Sequence, residues 1–102
     1  MIFGKKTTVS SFAEMDNHLP QYFSALSDQR RYQMVKLLLK RNDLSVSQIA
    51  KVFRTSISAA SQQLKYLELS GIIKRVRQGQ RIQYEIKEDD LLVKDLLKLI
   101  TG

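Results

Sequence analysis

Residues 44–67 read LSVSQIAKVFRTSISAASQQLKYL, and the spacing of apolar and small polar residues in this run decides how the rest of the chain is understood. Ser45 or Ser47 supplies an N-cap for a short helix whose inward residues are Ile49, Ala50 and Phe53. The pattern breaks at Arg54-Thr55-Ser56 and resumes as a longer helix that reaches Ser70 and stops at Gly71. On that second helix Ile57, Ala60, Leu64 and Leu67 recur at three- and four-residue steps and form one inward stripe. Ser58, Ser61, Gln62 and Lys65 form a second stripe, roughly 130° away at about 100° per residue. The outer stripe is short, polar and uncluttered, and Ala59 beside it keeps the helix slim. Glutamine pairs with an adenine edge, serine donates to base or phosphate, and lysine neutralises phosphate, so this face suits a DNA major groove.

A solvated helix decorated with serine and glutamine is the plainer reading of that stripe taken alone. Its neighbours decide against it. The short helix before it, the three- to four-residue turn and the small Ala50 where two helices cross are the spacing of a helix-turn-helix, and Ser56 at the turn joins the candidate contacts. Downstream, Ile72–Arg77 and Gln80–Ile86 are two β-prone runs around Gln78-Gly79, where glycine tolerates the positive φ of a tight turn. This hairpin carries Lys74, Arg75, Arg77 and Arg81, with Gln78, Gly79 and Gln80 at its tip. Alternation places Val76, Ile82, Tyr84 and Ile86 toward the core and Arg77, Arg81 and Gln83 outward. A basic hairpin beside a polar helix grips flanking phosphates or a minor groove, whereas arginines that only guard a sheet edge are its plainer alternative.

Outward from this centre, Phe12, Met15, Leu19, Tyr22, Phe23 and Leu26 predict a first helix that is broken or restarted at Pro20, the single proline. Ser27-Asp28 caps a second helix through about Arg41, with Tyr32, Val35, Leu38 and Leu39 on its buried side. Glu88-Asp89-Asp90 opens a last helix, its acids where the helix dipole favours them, followed by Leu91, Leu92, Leu96, Leu97, Leu99 and Ile100. The expected fold is mainly α with a small hairpin, in the order helix, helix, helix, helix, hairpin, helix: a winged helix-turn-helix.

One domain over 1–102 is expected, since 102 residues with 43% hydrophobic content have room for one modest core. Residues 1–11 are expected to form a disordered arm. The net charge of +7 points to a polyanionic partner. Its distribution says more: residues 72–87 carry five basic against one acidic residue and 28–44 five against two, while 88–102 carry two against four. The excess lies in the middle and the hairpin, as expected if the middle meets phosphate and the ends meet protein. The absence of cysteine removes disulfides and thiolate metal sites. No apolar run approaches a membrane span and no signal peptide is visible, so a cytoplasmic protein is expected.

The sequence resembles the ArsR/SmtB (arsenic-repressor) family of winged-helix repressors over roughly residues 22–87. Ala25-Leu26-Ser27-Asp28 with Arg31 is similar to the family's entry to its second helix, and Leu44-Ser45-Val46-Ser47-Gln48-Ile49-Ala50 to the segment before its turn. Ser58-Ala59-Ala60-Ser61-Gln62-Gln63-Leu64-Lys65-Tyr66-Leu67 is similar to the recognition helix, and Ser70-Gly71-Ile72-Ile73 with Arg77-Gln78-Gly79-Gln80-Arg81-Ile82-Gln83-Tyr84 to the start of the wing and its tip. The resemblance implies a homodimer built from the first and last helices (12–26 and 88–101) and two recognition helices in successive major grooves of a pseudo-palindromic operator. It also implies repression by blocking a promoter. It assigns DNA contacts to Ser58, Ser61 and Gln62 and to the wing, Arg77 through Arg81. Many members sense metals, but the family's ligands are missing: there is no cysteine, and residues 88–102 hold no histidine. No metal and no cofactor is expected, and the inducer is left open between a small molecule, a protein and none at all.

Glu88, Asp89, Asp90 and Asp95 would suit a hard cation, although acids at a helix start are mostly solvated dipole partners. His18, the only histidine, reads as a packing or surface residue, because a lone imidazole makes a poor metal site. An enzyme is not expected: there is no cysteine nucleophile, no serine–histidine pairing in reach and no glycine-rich phosphate cradle. The alternatives to a sequence-specific regulator are a protein-interaction module that uses Phe12, Phe23, Leu96 and Ile100, and a nonspecific architectural DNA binder.

Overall fold

The computed structural model describes residues 9–101, with side-chain surroundings over 18–100. Seven elements follow in order: α1 (Val9–Leu26), α2 (Gln29–Lys40), α3 (Val46–Val52), α4 (Ile57–Ser70), β1 (Ile73–Gln78), β2 (Arg81–Ile86) and α5 (Leu91–Thr101). Helix starts fall where the sequence supplies caps. The Asp28 carboxylate accepts the Arg31 N–H, and the Ser56 hydroxyl accepts the Ala59 N–H. Ser45 and Gln48 form a reciprocal capping box ahead of α3. Each such cap contributes about 1 kcal/mol.

Pro20 does not break α1, which is one helix through it. An internal proline removes one helical hydrogen bond and crowds the preceding turn. Tertiary anchoring beyond it offsets that loss: Tyr22 and Ala25 are buried, and the Gln21 amide donates to the Ser70 carbonyl at 3.0 Å. Residues 9–11 of the expected arm are already helical, and the rest of that arm lies outside the described residues. The surroundings of Phe12 and Met15 also lie outside them.

The core gathers around α2, whose Met34, Val35 and Leu38 are buried, while the expected Tyr32 and Leu39 are only half-buried. Ile49 and Ala50 from α3 and Ala60, Leu64 and Leu67 from α4 pack with them. β1 lies against α4, and β2 lies against α2 and α3. Ile73, Tyr84 and Ile86 close that side, and Val93 and Leu97 of α5 close another.

The two strands pair antiparallel, Ile73 with Ile86 through Gln78 with Arg81. The turn is therefore Gly79-Gln80, one residue later than expected, with Gly79 at φ +67° in glycine's position of a type II′ turn. This register pairs Val76 with Gln83, so Val76 sits on the face opposite Tyr84 instead of joining it in the core, and Gln83 is half-buried instead of outward. A two-residue turn fixes which residues stand opposite, and that determines every side chain's face. The last helix also starts later than expected. Residues 88–90 form a turn, and Asp90 accepts the N–H groups of Leu92 and Val93 at 3.0 and 3.2 Å.

Candidate nucleic-acid interface

α3 and α4 are joined by a turn whose geometry depends on one residue, Arg54, at φ +52°. Its N–H donates to the Lys51 carbonyl, and the next N–H, of Thr55, reaches back to Ala50. This is the Schellman arrangement that ends many helices, with arginine where glycine is usual. The same pair of bonds ends α4, where Gly71 takes the left-handed position at φ +91°. Sequence reading found the break at Arg54 but not its backbone conformation, because no glycine marks it.

From this turn α4 presents two faces. Ala60, Leu64 and Leu67 are fully buried. Ser58, Ser61, Gln62 and Lys65 are exposed, and among the described residues none of them is hydrogen-bonded or ion-paired to a neighbour. Ser56 is exposed, and its oxygen is occupied as the cap. Ile57 departs from expectation: it is 54% exposed at the first position of α4 and not part of the inward stripe. It stands directly after the Ser56 cap, and more than half of its surface is left uncovered. An apolar side chain thus stands among the polar ones at the end of the helix that follows the turn.

The wing residues Arg77, Gln78, Gln80 and Arg81 are all exposed. Register puts Arg77 on the face of Ile82, and Arg81 with Gln78 on the other. The Arg77 Nε donates to the Gly79 carbonyl at 3.1 Å, bracing the turn. Arg81 reaches inward: one guanidinium nitrogen donates to the Asp43 carbonyl and to the Gln48 side-chain oxygen. That oxygen is also the acceptor of the Ser45 N–H in the α3 capping box. Arg81 therefore straps the hairpin to the start of the helix-turn-helix. The neighbouring Asp43 carboxylate is held below its ordinary pKa, chiefly by the hydrogen bonds from Arg41 at 2.9 and 3.1 Å. Lys65, Lys74, Arg75 and Arg77 have no carboxylate partner among the described residues.

The chain has no thiol, and among the described residues no three histidine, cysteine or acidic side chains are grouped to hold a metal ion. Asp90, one of the acids considered for a hard cation, is committed on both oxygens: Oδ1 caps α5, and Oδ2 accepts the Tyr22 hydroxyl at 3.2 Å. His18 stacks on the Tyr22 ring at 6.2 Å between centroids.

Comparison with known proteins agrees with this geometry. The family model described as bacterial regulatory protein, arsR family, matches residues 28–75. The cadmium resistance transcriptional regulatory protein CadC homolog of Staphylococcus aureus is 33% identical over 76 residues, 74% of this chain and 61% of that protein. CadC of Listeria innocua is 30% identical over 71 residues, and the chain spans 60% of its length. The transcriptional activator HlyU of Vibrio cholerae is 30% identical over 76 residues, 74% of this chain and 68% of that protein. Among solved structures, the homodimeric winged helix-turn-helix DNA-binding domain of Mb0332 from Mycobacterium bovis has a TM-score of 0.75 at 28% identity, covering 87% of this chain and 80% of that one. HlyU from Vibrio vulnificus has a TM-score of 0.71 at 25% identity, covering 91% and 94%. No helix among the described residues is long and apolar enough to cross a membrane. By its sequence, its fold and the form of its helix-turn-helix, the chain belongs to the ArsR/SmtB family of winged helix-turn-helix transcriptional regulators, which are not enzymes.

Proposed function

We propose that this chain is a cytoplasmic, homodimeric regulator that reads a pseudo-palindromic DNA duplex and represses by occupying a promoter, without a metal. The observation that carries the reading is the outward face of α4, where Ser58, Ser61, Gln62 and Lys65 stand exposed and uncommitted above a stripe fully buried in the core. Such a face enters a major groove, and the Ser56 hydroxyl proton at its start is directed to a phosphate. Arg77, Gln78 and Gln80 of the wing lie along the flanking backbone, with Arg81 behind them. Dimerisation draws support from the homodimeric Mycobacterium bovis neighbour and from the exposed Phe23, Leu91 and Leu99 on α1 and α5.

Selection of random duplexes with purified protein tests the reading. It should yield one motif with half-sites about 10 base pairs apart or a multiple of that. Gln62→Ala should then relax base preference at one position per half-site by about 1–3 kcal/mol. A monomer indifferent to duplex would favour a protein-interaction module, and salt-sensitive binding with no motif would favour an architectural binder. Transcription from a promoter carrying the motif separates repression from activation, the activity in the name of the Vibrio cholerae relative.

A further inference from the structure

We infer that Arg31 is the positioning residue that fixes the angle of α4 against α1, and thereby the half-site spacing that the dimer accepts. The inference rests on the dimeric DNA-binding reading above. Arg31 stands in the first turn of α2, yet its guanidinium serves two other helices, α1 and α4. Its Nε donates to the Ala25 carbonyl at 2.9 Å and its Nη2 to the Ser24 carbonyl at 3.4 Å. These carbonyls lie in the last turn of α1; that of Ser24 also accepts the Ser27 N–H and hydroxyl at 3.3 and 2.8 Å, and Arg31 supplies a donor to that of Ala25. That turn has no basic residue of its own, so Arg31 also supplies the cation its dipole favours. On its other side, Nη1 donates to the Gln63 side-chain oxygen at 3.0 Å, and the guanidinium carbon stands 3.8 Å from the centroid of the Tyr66 ring. The Tyr66 hydroxyl closes the loop at 3.3 Å from the Ser24 hydroxyl.

These contacts restrain what the core leaves free. Ala60, Leu64 and Leu67 fix how deep α4 sits, but apolar contact is non-directional and tolerates small rotations. A planar guanidinium bonded on two edges and stacked on its face has one orientation. The grip is at Gln63 and Tyr66; of the outward stripe, Gln62 and Lys65 lie beside it, and Ser58 lies toward the start of the helix. At 1.5 Å per residue Ser58 is about 12 Å along the axis from Tyr66, so a tilt of about 10° there moves it about 2 Å. That is more than half of the roughly 3.4 Å base step, and the symmetric partner helix doubles the error.

The test compares wild type, Arg31→Met and the double variant Gln63→Ala/Tyr66→Leu on fluorescent duplexes carrying the selected motif. The duplexes hold one half-site, or two at the selected spacing and at one or two base pairs either side. Wild type should lose at least tenfold in affinity off its spacing. Both variants should lose threefold or less, with half-site affinity within threefold of wild type. A variant that keeps the wild-type spacing preference overturns the inference. So does equal loss on the half-site and on every spacing, which would make Arg31 a residue of stability alone. If Arg31→Met does not fold, the double variant decides, since it leaves the bonds from Arg31 to α1 intact. Wild type that binds duplex without regard to spacing overturns the inference and leaves the DNA-binding reading standing; wild type that binds no duplex removes both.

Discussion

Replacing Arg54 by glycine should make the protein more stable, an unusual expectation for an arginine-to-glycine change. Arg54 holds φ +52° in the turn between α3 and α4, and its side chain is exposed, with no hydrogen bond or ion pair among the described residues. A left-handed conformation costs a residue with a Cβ about 1–2 kcal/mol, a cost glycine does not carry. Against this, glycine gives the unfolded chain more freedom, which removes about 0.4–1 kcal/mol. The net gain is about 0.5–1 kcal/mol, or about 3–6 °C in melting temperature for a domain of this size. Urea denaturation at fixed protein concentration, followed by circular dichroism, reads it directly. Arg54→Ala is the control, keeping the Cβ and therefore the strain. Equal stability of the glycine and alanine variants would refute the reasoning, since the gain would then not come from the backbone.

Two other expectations follow from single side chains. Ile57, exposed at the start of α4, is placed to touch a thymine methyl in the proposed groove. Replacing thymine by deoxyuridine at one position per half-site should weaken wild type about fourfold, from about 0.8 kcal/mol per buried carbon, and leave Ile57→Ala indifferent; identical responses of the two proteins at every thymine would exclude the contact. The buried Tyr22 hydroxyl has a pKa above its ordinary 10.0, from burial first and then from the Asp90 charge and hydrogen bond. The folded state keeps this proton at pH values where the unfolded chain has lost it, so stability should fall as pH rises from 10 through the folded value. Tyr22→Phe should fall less steeply there, and parallel curves for the two proteins would remove Tyr22 from the alkaline transition.

What could be read from the sequence was what is local. Asp28, Ser45 and Ser56 cap their helices because the capping bond spans three residues and needs no tertiary information. The outward stripe of α4 was legible for the same reason, since 3.6-residue periodicity states which side chains share a face. Periodicity does not state where the body ends, and so Ile57 was placed inside with Ala60 and Leu64. Val76 was misplaced because strand alternation leaves the register open until the turn is fixed. Pro20 obeyed a local rule that tertiary anchoring at Gln21, Tyr22 and Ala25 overrode. The bonds from Arg31 to Gln63 and from Arg81 to Gln48 join residues more than thirty positions apart, and no local pattern announces them.

This division also decides how much of the basic charge meets DNA. Arg31, Arg41 and Arg81 hold partners inside the protomer, so the net charge of +7 overstates what is available to phosphate. On the outward face of α4 and on β1, the cations that bond to no other element are Lys65, Lys74, Arg75 and Arg77, the last bracing only its own turn. Four per protomer give about eight phosphates per dimer, and log affinity should then fall against log salt with a slope of about −7. Arg77→Ala removes two of these per dimer and should flatten the slope by about 2. Arg81→Ala should leave the slope unchanged while lowering stability by about 1 kcal/mol, because it releases the strap between the hairpin and the α3 cap. Titration of duplex binding between 50 and 200 mM salt distinguishes the two arginines. If Arg81→Ala flattens the slope as much as Arg77→Ala does, the strap opens on DNA and Arg81 turns to a phosphate.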